Sequence, residues 1–163
     1  MIIRILIIIN SHVHIFYIYQ IEEVVYMNKQ LFKNIVMILQ NKEKALAFLE
    51  NPNNILKWDS DIAWIAEQQN GLKISRSHQS LNDNEVMTVE RNGDQVIYYN
   101  KGNHLNYQVV FELIEENGHL EIAETLLFPE KANSSLPIKL LKPVAKHAFA
   151  AKLDDLATAL EQL

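Results

Sequence analysis

From residue 62 to residue 128, apolar residues recur at every second position over much of this chain, and beyond that their spacing lengthens to the threes and fours of a helix. An earlier segment, 31–39, is rich in apolar and β-branched residues and reads as a first strand. The later alternation breaks at Asn, Gly, Asp and Ser into six more strands, 62–68, 72–80, 85–91, 94–100, 105–115 and 119–128. Between the first strand and the others, Asn41 is a fair N-cap for a short helix. Its apolar face is Ala45, Leu46, Phe48 and Leu49, and it stops before Pro52. One more helical turn is expected at 55–58.

Two connections are Asn-Gly pairs, Asn92-Gly93 and Asn117-Gly118, the sequence favoured where both turn residues need positive φ, so both predict antiparallel hairpins. With Asn117-Gly118 as a two-residue loop, Leu113 lies opposite Ile122, Phe111 opposite Glu124, Val109 opposite Leu126 and Tyr107 opposite Phe128. Seven of these eight are apolar or aromatic, whereas Gln108, Glu112, Glu121 and Thr125 take the other face. The register is therefore well specified. The same treatment of Asn92-Gly93 gathers Met87, Val89, Val96 and Tyr98 on one face.

Residues 135–163 predict a long helix, with Ser134 or Ser135 as its cap and Phe149, Leu153, Leu156, Leu160 and Leu163 as its apolar stripe. Pro143 should kink this helix or mark its effective start. The stripe must be buried, and the concave face of the sheet is the large apolar surface that can cover it.

A chain of 163 residues suffices for one domain with its own core. The 48% hydrophobic and 21% charged fractions are those of a globular protein. A net charge of -5, with 15 basic residues scattered among 20 acidic ones, offers no footprint for nucleic acid. The absence of cysteine removes disulfides, thiolate metal sites and a cysteine nucleophile. It fits a reducing interior, and a cytoplasmic location is expected. The first 26 residues are strongly apolar, but Arg4, Asn10, Ser11, His12 and His14 interrupt them, and a spanning helix needs about 20 consecutive apolar residues. Gln20-Ile21-Glu22-Glu23 offers no signal-peptide cleavage site. Stable membrane insertion is not expected. Residues 1–26 are expected to lie outside the domain, with Met27 as the preferred start and 27–163 as the domain.

The order of a strand, two short helices, six antiparallel strands and a long terminal helix resembles the START-like, or SRPBCC, superfamily. The residues that carry this resemblance are Ala47-Phe48-Leu49-Glu50-Asn51-Pro52-Asn53-Asn54 with Trp58-Asp59, Glu85-Val86 with the Asn92-Gly93 hairpin, Tyr107 to Leu113, and the closing segment 153–160. The pattern is most similar to the polyketide cyclase/dehydrase-like subgroup and covers 31–163. It implies an α+β helix-grip fold, in which a seven-stranded antiparallel sheet wraps around the C-terminal helix and a deep cavity between them takes hydrophobic ligands. It does not imply a reaction. No Rieske-type Cys and His pattern, Gly-rich phosphate loop or HExxH motif is present, and no cofactor is expected.

Carrying the alternation inward gives one candidate site. If Leu72 and Ile74 face the helix, so do Arg76 and His78, and the hairpin register puts Glu124 inside with them. Arg76 and Glu124 would then form an internal ion pair, with His78 a neighbouring proton carrier. Alternatively the strand shifts by one residue, Arg76 and His78 reach solvent near the rim, and Glu124 bonds a backbone or tyrosine group. The expected ligand lining is Trp58, Arg76, Met87, Val89, Tyr98, Tyr107, Val109, Phe111, Leu126, Phe149 and Leu153. Trp58 could equally serve only to anchor the short helices. The histidines show no metal-ligand spacing, and no metal is expected.

Three functions are compatible with this pattern. One is binding of a lipid-like or polyketide-like small molecule. Another is a cyclase or dehydratase with His78 or Glu124 as general base and Arg76 or Tyr98 stabilising the enolate. The last is an interaction protein with a filled cavity. The oligomeric state is left open.

Overall fold

The structure, a computed structural model, describes residues 3–9, 12–18, 28–77, 80–129 and 138–163. Strands β1 (Ile3–Ile9) and β2 (His12–Ile18) pair antiparallel in a sheet of their own. Strand β3 (Asn28–Ile38) leads into helix α1 (Lys42–Glu50) and a 3-10 helix (Pro52–Lys57). Asn41 caps α1, its side chain accepting the Lys44 N–H, and Asn51 repeats the device for the 3-10 helix by accepting the Asn53 N–H. Six strands follow: β4 (Ile62–Gln68), β5 (Gly71–Arg76), β6 (Asn84–Asn92), β7 (Gln95–Gly102), β8 (Asn106–Glu116) and β9 (His119–Pro129). Helix α2 (Ile138–Glu161) closes the chain.

Strands β3 to β9 form one seven-stranded antiparallel sheet in the order β3-β9-β8-β7-β6-β5-β4. The β8–β9 register is the one the Asn-Gly turn demands: Leu113 pairs with Ile122, Phe111 with Glu124 and Val109 with Leu126. Asn117 and Gly118 both have positive φ, 53° and 77°. The β6–β7 turn differs in detail, because Asn92 pairs with Gln95 and Gly93-Asp94 is the loop. The register moves by two residues as a result, with Val89 opposite Tyr98 and Met87 opposite Asn100. A shift of two preserves every face, so the expected grouping of Met87, Val89, Val96 and Tyr98 stands.

Strand β5 is shorter than its alternation suggests. It ends at Arg76, and the last bonds at its margin run from the Arg76 N–H to the Asp83 carbonyl and from the Ser77 N–H to that of Asp61. His78 lies outside the described residues, as do Ser134 and Ser135. Helix α2 continues upstream of Pro143, so the proline is not its start.

The core lies between the concave face of the sheet, α2 and α1. Leu153, Leu156 and Leu160 are buried as the stripe requires, while Leu163 falls beyond the helix end and is 51% exposed. Helix α2 packs over β3 at the edge of the sheet, where Phe149 meets Phe32 edge to face at 5.6 Å between ring centres. Gln40 Nε2 donates to the Leu160 carbonyl at 2.7 Å and satisfies one of the free carbonyls of the last turn of α2. Helix α1 rests on β6, β7 and β8 at the other end. No helix among the described residues is long and apolar enough to cross a membrane.

Candidate functional site

Because α2 covers the β3 edge and α1 the far end, the middle of the concave face is left uncovered. A cavity of about 420 Å³ occupies that space. Its apolar wall comes from Ile55, Trp58, Leu81, Met87, Val109, Phe111, Val144, Ala145, Ala148 and Phe149. Val144, Ala148 and His104 line the cavity and are also exposed, so its mouth lies between the first half of α2 and the connections at 80–81 and 104. Trp58 stands edge to face against Phe111 at 6.1 Å and is 7% exposed. It thus anchors the 3-10 helix and lines the cavity at once. Its indole N–H has no acceptor among the described residues.

One side of the cavity is polar and densely bonded. Arg76 donates to Glu85 Oε1 from Nε at 3.0 Å and from Nη2 at 2.6 Å, and to Asp59 Oδ2 from Nη1 at 2.7 Å. Lys152 reaches down from α2 to Asp59 Oδ1 at 2.7 Å and Asp61 Oδ2 at 3.0 Å. The Tyr107 hydroxyl donates to Glu85 Oε2 at 2.8 Å. Burial works against the charge of Asp59, but Arg76 and Lys152 together hold its carboxyl below the usual value. Burial and the adjoining Glu85 push the Tyr107 phenol well above its usual value, so this hydroxyl keeps its proton.

Glu124 sits apart from that cluster. It faces Asn34 across the β3–β9 ladder, and Asn34 Nδ2 donates to Glu124 Oε2 at 3.1 Å and to the Lys146 carbonyl of α2 at 3.3 Å. Glu124 is 1% exposed and lines the cavity. Burial pushes its carboxyl up to about 8, against the smaller opposing effects of Asn34 and Lys152, so it is mostly protonated at neutral pH.

Asn82 fixes the connection beside the mouth. Its side chain is fully buried and makes four hydrogen bonds, to Glu85 Oε2, the Leu105 carbonyl, and the His104 and Leu105 N–H groups. A Cβ at Gly102 would overlap the Asn82 carboxamide, so only glycine leaves it room. Gly102→Ala is expected to lower stability by about 1–3 kcal/mol through this overpacking. Urea unfolding of the variant checks this, and an unchanged midpoint would show that Asn82 yields freely.

The structure brings most of the expected lining together. Trp58, Arg76, Met87, Tyr98, Tyr107, Val109, Phe111 and Phe149 all border the cavity, as does Glu124, the candidate general base. Val89, Leu126 and Leu153 do not. Val89 is paired with Tyr98, whose hydroxyl donates to the Leu49 carbonyl of α1 at 2.7 Å, so that end of the sheet lies under α1. Leu126 pairs with Phe32 on the β3 side, where α2 packs, and both Leu126 and Leu153 are core.

The expected Arg76–Glu124 ion pair is not formed, because Asp59 and Glu85 take Arg76 and Glu124 bonds Asn34 instead. Neither Arg76 nor Tyr98 is free to stabilise an enolate, the first being neutralised and the second donating to Leu49. Asn34, Asp59, Glu85 and Lys152 were not among the expected site residues. Glu85 shares the period-two face of Met87, and Lys152 follows Phe149 by three on the helix, so both carried a signal. Among the described residues no group of His, Asp and Glu is arranged to hold a metal ion.

No family model matches this sequence, and no curated protein matches it. Solved structures do share its fold. A START superfamily protein from Mycobacterium smegmatis superposes with a TM-score of 0.64 at 15% identity, covering 82% of this chain and 99% of that one. A conserved protein from Geobacillus kaustophilus gives 0.60 at 10% identity, covering 80% of this chain and 94% of that one. The di-domain ARO/CYC StfQ from the steffimycin biosynthetic pathway gives 0.59 at 10% identity, with 80% of this chain matching 50% of that one. The chain has the START-like helix-grip fold.

Proposed function

We propose that this protein binds an apolar small molecule, lipid-like or polyketide-like, in the cavity between the sheet and α2. The observation that carries the reading is an unfilled space of about 420 Å³ with apolar walls and a few convergent polar groups along one side. Such walls supply affinity at about 25 cal/mol for each Å² removed from water, and the polar side sets orientation. The open space argues against an interaction protein whose cavity is packed with side chains. The fold it shares with a START superfamily protein and with an ARO/CYC protein agrees with a binding or cyclase role.

Native mass spectrometry of the purified protein, with thermal shifts across a panel of lipids and aromatic polyketide-like compounds, tests the reading. A retained ligand mass or a ligand-dependent rise in Tm is expected. A clean apoprotein with no shift across the panel would overturn it.

Glu124 favours a second reading, an acid–base enzyme of the cyclase or dehydratase kind. A buried carboxyl pushed up to about 8 on a cavity wall is a stronger base than an ordinary carboxylate. In its ionised form it can take a proton from a carbon beside a carbonyl and give that proton to a departing hydroxyl. Under this reading Glu124→Gln keeps ligand affinity and loses turnover.

A further inference from the structure

We propose that the cavity selects its ligand by charge: it takes an uncharged apolar molecule whose polar end is a carbonyl-type oxygen acceptor met by Glu124, and it rejects anionic ligands such as fatty-acid carboxylates. This inference rests on the binding reading above. Among the described residues that line the cavity, Arg76 and Lys152 are the Lys and Arg side chains. Both are already engaged, Arg76 by Asp59 and Glu85 and Lys152 by Asp59 and Asp61. His104, at the mouth, has its ring Nε2 3.2 Å from Asp83 Oδ2. A carboxylate entering this space would find acids outnumbering bases. It would lose its hydration with no cation left to replace it, a cost that buried charges escape only through pairing.

The wall instead offers a donor. Glu124 accepts a hydrogen bond on Oε2 alone, and its other oxygen has no partner among the described residues. The groups that face it are Asn34 from β3, Lys152 from α2 and Asp59 from the end of the 3-10 helix. In its protonated form, the one favoured by burial, Glu124 holds an O–H to give. Trp58 also lines the cavity, but its indole N–H, although it lacks an acceptor among the described residues, is buried away from the open space. A cavity-wall donor without an acceptor suits a ligand that brings oxygen lone pairs rather than a charge.

Isothermal titration at pH 7 with two matched pairs tests this: 2-decanone against decanoate, and 2-acetylnaphthalene against 2-naphthoate. The ketone of at least one pair is expected to bind about tenfold or more tighter than its carboxylate. In Asp61→Asn, where Lys152 loses one of its carboxylates, the gap should narrow. Ketone affinity should fall from pH 7 to pH 9.5 in the native protein as Glu124 ionises, and should stay level in Glu124→Gln, whose amide donates at every pH. Carboxylates binding as tightly as ketones would overturn charge selection while leaving the binding reading intact. Binding of none of the four probes would overturn the binding reading itself, and this inference with it.

Discussion

Arg76→Met is expected to lower the stability of the fold by about 3–5 kcal/mol, the usual cost of removing one partner from a buried ion pair. The guanidinium is the shared counter-charge of Asp59 and Glu85, and all three side chains are almost wholly buried. Without it, Glu85 keeps only the neutral donors Asn82 and Tyr107, and Asp59 is left to Lys152 and the Asp61 N–H. Methionine replaces the apolar part of the side chain but none of the charge. Urea unfolding at pH 7 measures the loss, and a change below about 1 kcal/mol would mean that water enters to solvate both acids. Acid titration supplies an internal check on the same cluster. The Asp59 carboxyl is held below its ordinary value in the folded chain, so its contribution is complete above the unfolded value of 3.8 and is lost as the pH falls through the lower folded one. Arg76→Met removes one cause of that depression and should reduce this acid-dependent part of the stability.

Glu124→Gln should act in the opposite direction, gaining stability relative to the native protein as the pH rises. In the folded chain this carboxyl titrates near 8, and in the unfolded chain near 4.5. Below the lower value both states hold the proton, and ionisation makes no difference between them. Between the two values the unfolded chain releases its proton first, so native stability declines by about 1.4 kcal/mol for each pH unit. Above the upper value the accumulated loss is constant. Glutamine does not titrate and its carbonyl can still accept from Asn34, so the variant escapes this decline. Unfolding at pH 4.5 and pH 8.5 should show near-equal stabilities at the first and an advantage for the variant of roughly 3–5 kcal/mol at the second. The same offset at both pH values would exclude burial of an ionising group as its cause.

The fold was legible in the sequence wherever a short-range rule governs it. Positive φ at Asn117 and Gly118 sets the β8–β9 register, and that register alone places Glu124 inside the sheet, ninety residues from Asn34. Parity also survived the two-residue error at Gly93, since faces repeat every second residue. Parity says which face a side chain takes and nothing about which segment arrives opposite it. Arg76 could be read as inward, but its partners come from the end of a 3-10 helix, at Asp59, and from the adjacent strand, at Glu85. The extent of the cavity was hidden for a related reason. Val89, Leu126 and Leu153 have the inward orientation expected of a lining, and only the placement of α1 and α2 turns Leu126 and Leu153 into core and packs Val89 against it.

The strand order also constrains how the chain can be made. β3 has one neighbour in the sheet, β9, so its ladder waits for a partner that a ribosome delivers about 5–20 s later at ordinary elongation rates. Phe32, Ile35, Met37 and Leu39 emerge well before that partner does. The β4–β7 meander can assemble from successive hairpins in the meantime, whereas β3 must close the longest loop in the sheet. For a nascent chain the vulnerable interval is therefore the wait between β3 and β9, when an apolar segment with an open hydrogen-bonding edge is available to other chains.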